Sequence, residues 1–213
     1  MVIGARRTAE ELGRAFPGVA VRISGRDEVL ATVPAGPALV VATPGAEPVA
    51  DGGYGAVLLL DGWAMLGRAD LRAGEEVLRR WAAAAGLARP GAPVVIGADR
   101  GIWQVQALTR WDPAGAAQRE LAERTELGFP PASRMAAVDG TPEALAGFTL
   151  DGFELLGPVP LGEGKERLLI RAPRAHGAQL AAALKAVVST RSARKAEPLR
   201  IQLDPPSLTS RGA

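Results

Sequence analysis

The sequence predicts an α/β lobe followed by a small α+β domain, and three observations carry that prediction. Continuous apolar runs at 38–42 (ALVVA), 56–60 (AVLLL) and 93–98 (PVVIGA) alternate with helix-spaced segments in the first half. Such runs read as strands of a parallel sheet buried on both faces. After Gly128-Phe129-Pro130-Pro131 the pattern changes to β-α-β-β-α-β, the order of a ferredoxin-like split βαβ unit. Between the two lies a charged helical run, 119–127, that stops abruptly on that Gly-aromatic-Pro-Pro corner. The expected division is therefore an α/β domain at 1–112, a linker helix and corner at 113–131, and an α+β domain at 132–213.

The elements follow in order. Val2 and Ile3 read as a short buried strand at 1–4. Ala5, Ala9, Leu12 and Phe16 fall on one helix face, and Pro17-Gly18 stops that helix. Residues 19–23 alternate as a strand. The run at 38–42 is a second strand and the run at 56–60, ending at Asp61, a third. Leu71, Leu78, Trp81 and Ala85 mark a long helix from about residue 69, with Trp81 on its core stripe. Residues 93–98 form another strand and 102–108 a helix. Beyond the corner, 133–138 reads as a strand. Thr141 caps the next helix with Pro142 in its first turn. Residues 153–159 and 167–171 are strands. Gly162, Gly164 and Lys165 fit the hairpin turn between them better than a phosphate loop, since no G-x-x-x-x-G-K-[ST] pattern exists in the chain. A helix over 174–189 carries Leu180, Leu184 and Val187 on one stripe, and 199–203 is the closing strand.

Composition excludes several function classes. The chain has 213 residues, 47% of them hydrophobic, which is enough to bury a real core. It has no cysteine, so disulfides and thiolate metal sites are out, and a bacterial cytoplasmic setting is the expectation. No apolar run reaches the roughly 18–20 residues of a membrane span, and the start does not resemble a signal peptide. The single histidine, His176, sits by a proline-bounded turn and reads as a surface residue. Hydrolysis by a nucleophile–base pair and ligation of a metal both lack their residues. The net charge is only +2, but Arg167, Arg171, Arg174, Lys185, Arg191, Arg194, Lys195 and Arg200 face a single acid, Glu197, across 167–200. That asymmetry fits a polyanion-binding face or a solvated surface. Trp63, Trp103 and Trp111 are open to either core or base-stacking roles.

Residues 119–133 (RELAERTELGFPPAS) resemble the signature RELAERRELGYPPFSR of the primosomal protein N′ family of bacterial replication-restart helicases. Residues 4–12 (GARRTAEEL) resemble that family's G-T-E-R-x-x-E-E-L, which opens its second helicase lobe. Residues 68–76 (RADLRAGEE) resemble its P-D-F-R-A-x-E-R. Gln202-Leu203-Asp204-Pro205 resembles its closing D-V-D-P. The resemblance covers nearly the whole chain. It implies a RecA-like helicase lobe two with a mostly parallel sheet plus a C-terminal domain, with the family's ATP-binding and zinc-binding parts upstream and no cofactor in this chain.

The departures from that pattern matter as much. The family's G-T-Q-M-x-x-K-G-H-D-F-P loop is here Ala42-Thr43-Pro44-Gly45-Ala46-Glu47-Pro48, without lysine or histidine. Its arginine-finger run Q-V-A-G-R-A-G-R aligns with 83–90 (AAAGLARP), which puts Leu87 and Pro90 on the finger positions and leaves Arg89 between them. A guanidinium at a γ-phosphate carries orders of magnitude in rate, and leucine cannot supply it. The resemblance is thus to a degenerate, actinobacterial form of the family, and no catalytic residue is expected. It implies a DNA-binding and partner-binding part, with Arg191, Arg194, Lys195 and Arg167 on phosphates of branched or single-stranded DNA. Arg171 and Arg174 are expected on the acidic tail of single-stranded-DNA-binding protein. Other primosome proteins and the rest of the full-length chain are the remaining expected partners. An ATP-driven helicase part with unorthodox motor motifs, or a purely structural lobe, are the alternatives.

Overall fold

The computed structural model describes residues 4–60 and 62–208. The strand expected at 1–4 and the strand-ending Asp61 lie outside the described residues. The chain divides into two compact units, one comprising Met1–Arg68 and Arg72–Pro113, the other Ala69–Leu71 and Ala114–Ala213.

The first unit opens with α1 (Ala5–Ala15) and β1 (Ala20–Ser24), then β2 (Thr32–Val33), β3 (Ala38–Ala42), β4 (Val49–Ala50), β5 (Val57–Leu59), α2 (Gly62–Leu66), α3 (Ala73–Ala85), β6 (Val94–Ile96) and α4 (Trp103–Arg110). Its core joins Leu59 of β5 to Val77, Trp81 and Ala84 of α3 and Val105 and Leu108 of α4. Trp81 is 3% exposed, as its place on the helical stripe predicts. Trp63 and Trp111 are exposed.

The expected continuous sheet is not present among the described residues. The strands pair only in twos, β1 with β3, β2 with β4 and β5 with β6, each pair parallel. The cause is in the connections. A parallel pair normally returns through a helix that packs on the sheet. Here 25–37, between β1 and β3, and 43–56, between β3 and β5, contain no helix. Pro34, Pro37, Pro44 and Pro48 punctuate both segments and lack the amide that helix or ladder would use. The two-residue strands β2 and β4 and the short α2 carry too little periodicity to be legible in the sequence.

Buried groups fix the turn after β3. Ser24, fully buried, donates from Oγ to the Ala46 carbonyl (2.5 Å) and accepts from the Leu30 amide (3.0 Å). The Glu47 carboxylate accepts the Gly45 amide, and Arg80 donates from Nη1 to the Pro44 carbonyl. Glu76 receives both Arg79 and Arg80 at 2.8 and 2.5 Å, and those hydrogen bonds hold its pKa down at about 2. A depressed carboxylate stabilises the fold above its ordinary pKa of 4.5, and that contribution disappears as pH falls from 4.5 toward 2. The Glu76 side chain is a third exposed, so solvent screening cuts the effect to about 1 kcal/mol or less. Glu76→Gln should therefore cost up to that amount at pH 7 and nothing near pH 2, read from urea titrations at the two pH values.

The second unit contains α5 (Pro113–Leu127) from Ala114 on, β7 (Ser133–Gly140), α6 (Pro142–Leu145), β8 (Glu154–Gly162), β9 (Lys165–Pro173), a 3-10 turn (Arg174–His176), α7 (Gly177–Ala193) and β10 (Arg200–Leu203). The charged helix read as a linker thus clusters with this unit. The sheet runs β10-β7-β9-β8, antiparallel throughout, which is the strand order of a split βαβ unit. Thr141 accepts the Ala144 amide at 3.2 Å as the cap of α6. Glu163 and Gly164 form the β8–β9 turn with φ of 55° and 70°, and positive φ at both central residues marks a type I′ hairpin. Lys165 is the first residue of the return strand, so the hairpin reading of that glycine pair holds. Leu180 and Leu184 of α7 pack on Ala136, Val138, Leu168, Ile170 and Ala172 of the sheet. The segment 174–176, expected inside a continuous helix, is a separate turn that precedes α7.

Candidate functional site

Alternation along β9 decides where the expected DNA-binding and tail-binding arginines point. Leu168, Ile170 and Ala172 face the helices, so Arg167, Leu169 and Arg171 face the other side of the sheet. Cross-strand register then sets their neighbours. Arg167 lies beside Asp139, which lies beside Arg200. The Arg167 guanidinium grips both Asp139 oxygens at 2.8 and 2.9 Å and donates to the Ser207 carbonyl at 3.2 Å. Both side chains of the pair are nearly buried, at 12% and 11% exposure. The hydrogen bond with Asp139 raises the already high pKa of Arg167. The fork of Arg167, expected from the sequence to hold DNA phosphate, is engaged in the structure with an internal carboxylate.

Arg171 is engaged in a similar way. It meets both Glu154 oxygens at 2.7 and 2.8 Å and donates to the Leu127 carbonyl at 3.1 Å. Glu154 is half exposed, so this pair is an open one. The two residues border a shallow hollow of about 360 Å³ with Gly128, Ser133, Gly152 and Pro173. Arg174 does not share it. It opens the 3-10 turn, donates one N–H to the Pro131 carbonyl at 2.8 Å, and lines a second hollow of about 270 Å³. Arg134, Gly177, Leu203 and Asp204 line that one too, and Arg134 is paired with Asp204 at 2.5 Å. Arg171 and Arg174, named together from the sequence, are thus separated by the structure into two hollows.

The remaining cations gather at the far end of α7. Arg191 donates from Nη2 to the Glu197 carbonyl at 2.8 Å. Arg194 is the C-cap residue of α7, and Lys195 follows it in the left-handed region at φ 53°. Both are exposed. Lys185 sits two turns earlier on an exposed position of the same helix. Helix C-termini favour cations, which is one local reason for basic residues there.

The stretch that first marks this chain has a structural explanation that spacing alone does not give. Arg124 of α5 is 7% exposed. It meets Glu120 at 2.5 Å, one turn earlier, and donates to the carbonyls of Pro130 and Leu71, each at 3.0 Å. One guanidinium thereby joins the helix, the Pro-Pro corner and the segment Ala69–Leu71. Ser133 closes the corner by donating from Oγ to the Gly128 carbonyl at 2.7 Å.

Residues 125–206 match the family model of the primosomal protein N C-terminal domain. The chain is 52% identical over 226 aligned residues to the probable replication restart protein PriA of Mycobacterium leprae, covering 96% of this chain and 35% of that protein. It is 49% identical over 234 residues to the probable replication restart protein PriA of Mycobacterium tuberculosis, covering 96% of this chain and 36% of that one. The chain belongs to the PriA family. It spans about a third of the length of the curated relatives it matches.

The arginine-finger positions expected of a PriA-type lobe are built into backbone pairing. The Tyr54 amide donates to the Leu87 carbonyl and the Arg89 amide to the Tyr54 carbonyl, both at 3.0 Å, around a parallel bridge between Tyr54 and Ala88. Arg89 packs against the glycine turn so closely that a Cβ on Gly53 would stand 3.0 Å from its amide. Leu87 and Pro90 carry no side-chain donor, and the Arg89 between them is exposed.

Proposed function

We propose that the chain is the DNA-binding and partner-binding C-terminal part of a replication-restart protein, joined to a helicase-derived lobe without motor residues. The observation that carries this reading is the 52% identity across 96% of the chain to a probable replication restart protein. The RecA-like character of the first unit belongs to the same reading. It rests on the parallel strand pairs and on the resemblance of residues 4–12 and 68–76 to lobe two.

Phosphate contacts fall to Arg191, Arg194 and Lys195 at the end of α7, with Lys185 on the same helix. Arg194 and Lys195 are exposed and require no rearrangement to meet an anion. An acidic tail fits the hollow lined by Arg174 better than that lined by Arg171. Arg174 has a single backbone acceptor, whereas Arg171 would have to release Glu154 first. A guanidinium on a terminal carboxylate forms a charge-assisted fork.

Fluorescence anisotropy across a salt series tests both assignments. Each phosphate contact on single-stranded DNA contributes a log–log slope of about −0.7. Replacing Arg191, Arg194 and Lys195 together should flatten the slope by roughly two. Arg174→Ala should weaken an acidic tail peptide and leave that slope unchanged. An unaltered slope in the triple variant removes the phosphate assignment, and binding of neither ligand at low salt favours a purely structural unit.

A further inference from the structure

The hollow beside Arg174 carries more positive than negative charge. Among the described residues that line it, Arg134 and Arg174 are cations and Asp204 is the only acid. Arg174 donates one N–H to the Pro131 carbonyl. Arg134 donates from Nη1 to Oδ2 of Asp204 at 2.5 Å. The fold makes room for that arginine at the start of α7, because a Cβ on Gly177 would stand 3.3 Å from Arg134 Cγ and 3.4 Å from Nε.

The Arg134–Asp204 pair is built differently from the other cross-strand pairs of this unit. Arg167 and Arg171 each take both oxygens of their acid and a backbone carbonyl as well. Arg134 meets one oxygen, and the two side chains are 46% and 48% exposed. An exposed pair held by one hydrogen bond is weak and screened. Nor does the chain need the pair to hold its course. The Asp204 amide donates to the Met135 carbonyl at 2.8 Å, and Pro205, the next residue, is buried. Those two anchors keep Asp204 in the left-handed region at φ 44° whatever its side chain does.

We infer that Asp204 is a built-in competitor for the acidic ligand of this hollow, and that Arg134 is the second guanidinium to receive that ligand's carboxylate groups once Asp204 is displaced. Arg174 takes an incoming carboxylate directly. Arg134 takes one by exchange, an external carboxylate replacing an internal one. A lone anion gains little from that exchange, since Asp204 is tethered beside Arg134 at high effective concentration. A peptide already anchored on Arg174 shares the advantage of the tether. Asp204 thereby disfavours isolated anions and leaves an acidic peptide preferred, which is selectivity by penalising the wrong ligand. The role of Asp204 rests on the reading of the Arg174 hollow as the seat of an acidic peptide.

Fluorescence anisotropy tests it on the 213-residue chain, with a short labelled peptide of Asp and Glu that has a free C-terminus. Asp204→Asn removes the charge and keeps a residue that tolerates positive φ. It should tighten binding at low salt by about threefold to fivefold, the range set by loss of an exposed competing pair. Asp204→Gly, equally suited to that backbone, should give the same gain. In an Arg134→Gln background the gain from Asp204→Asn should shrink below about twofold. Loss of the gain on amidating the peptide places its terminal carboxylate on Arg134, and persistence places a side-chain carboxylate there. An equal gain with and without Arg134 overturns the inference in favour of long-range repulsion by Asp204. No gain from either variant overturns it in favour of a structural staple, and slower binding partners aside, faster amide exchange in β7 and β10 of both variants would mark that staple directly. Arg174→Ala that weakens the peptide while Asp204→Asn changes nothing removes only the competitor, whereas Arg174→Ala without effect removes the seat and the competitor together.

Discussion

Arg124→Ala is expected to destabilise the second unit by about 3 kcal/mol, the usual cost of removing one partner from a buried ion pair. The cost arises in what remains. Glu120 keeps a carboxylate at 19% exposure without its 2.5 Å partner, and the carbonyls of Pro130 and Leu71 lose a charged donor. Lysine is not a substitute, because a single ammonium cannot serve three acceptors spread across a helix, a corner and a separate segment. Arg124→Lys should recover less than half of the loss. Tryptophan fluorescence will not report it, since all four tryptophans lie in the first unit. Exchange of the most protected amides in β7 reads the stability of the second unit directly. A loss below about 1 kcal/mol would mean that Arg124 is replaceable by water and that the corner is held by Ser133 and the backbone alone.

That same arginine shows where sequence reasoning reaches and where it ends. The helix 119–127 and its stop were legible from charge, periodicity and the Gly-Phe-Pro-Pro corner. The order of the second unit was legible because each strand and helix there keeps a clean period. The acceptor at Leu71 was not legible, since 53 residues separate it from Arg124 and no local pattern encodes the pairing. The helix expected from residue 69 begins at Ala73 for this reason, its first residues having been drawn into the second unit. In the first unit the apolar runs correctly announced strands. They gave no information on whether those strands join, which depends on crossovers that turned out to be proline-punctuated and without helices. Among site residues, the sequence placed Arg167, Arg171 and Arg174 in one basic stretch, 167–200, together with five further cations. Strand alternation and cross-strand register then handed two of them to Asp139 and Glu154. Those acids lie 28 and 17 residues away, beyond any motif. Arg134 and Asp204, which complete the hollow beside Arg174, gave no signal beyond the closing D-P.

Arg167 and Asp139 should behave as a single unit, and the expected result is an asymmetry between single and double substitution. Arg167→Met leaves a carboxylate at 11% exposure in the middle of a sheet, and Asp139→Leu leaves a guanidinium at 12%. Each single change should cost about 3 kcal/mol. Changing both removes two charges that had each given up water to pair. An apolar pair of similar volume offsets most of the lost attraction, so the double variant should lie within about 1 kcal/mol of the parent. The Ser207 carbonyl loses its donor wherever Arg167 is replaced, and this sets a floor under the recovery in the double variant. Denaturant unfolding followed by far-UV circular dichroism supplies the four stabilities of the cycle. Singles that add without coupling would show that the pair is solvated in solution and that Arg167 is available to other anions. The DNA titration separates the same two views independently. A guanidinium committed to Asp139 contributes no counterion release, so a folded Arg167→Met, Asp139→Leu double variant should keep the parent salt slope. A slope flatter by about 0.7 would return Arg167 to the phosphate contacts that its sequence position first suggested.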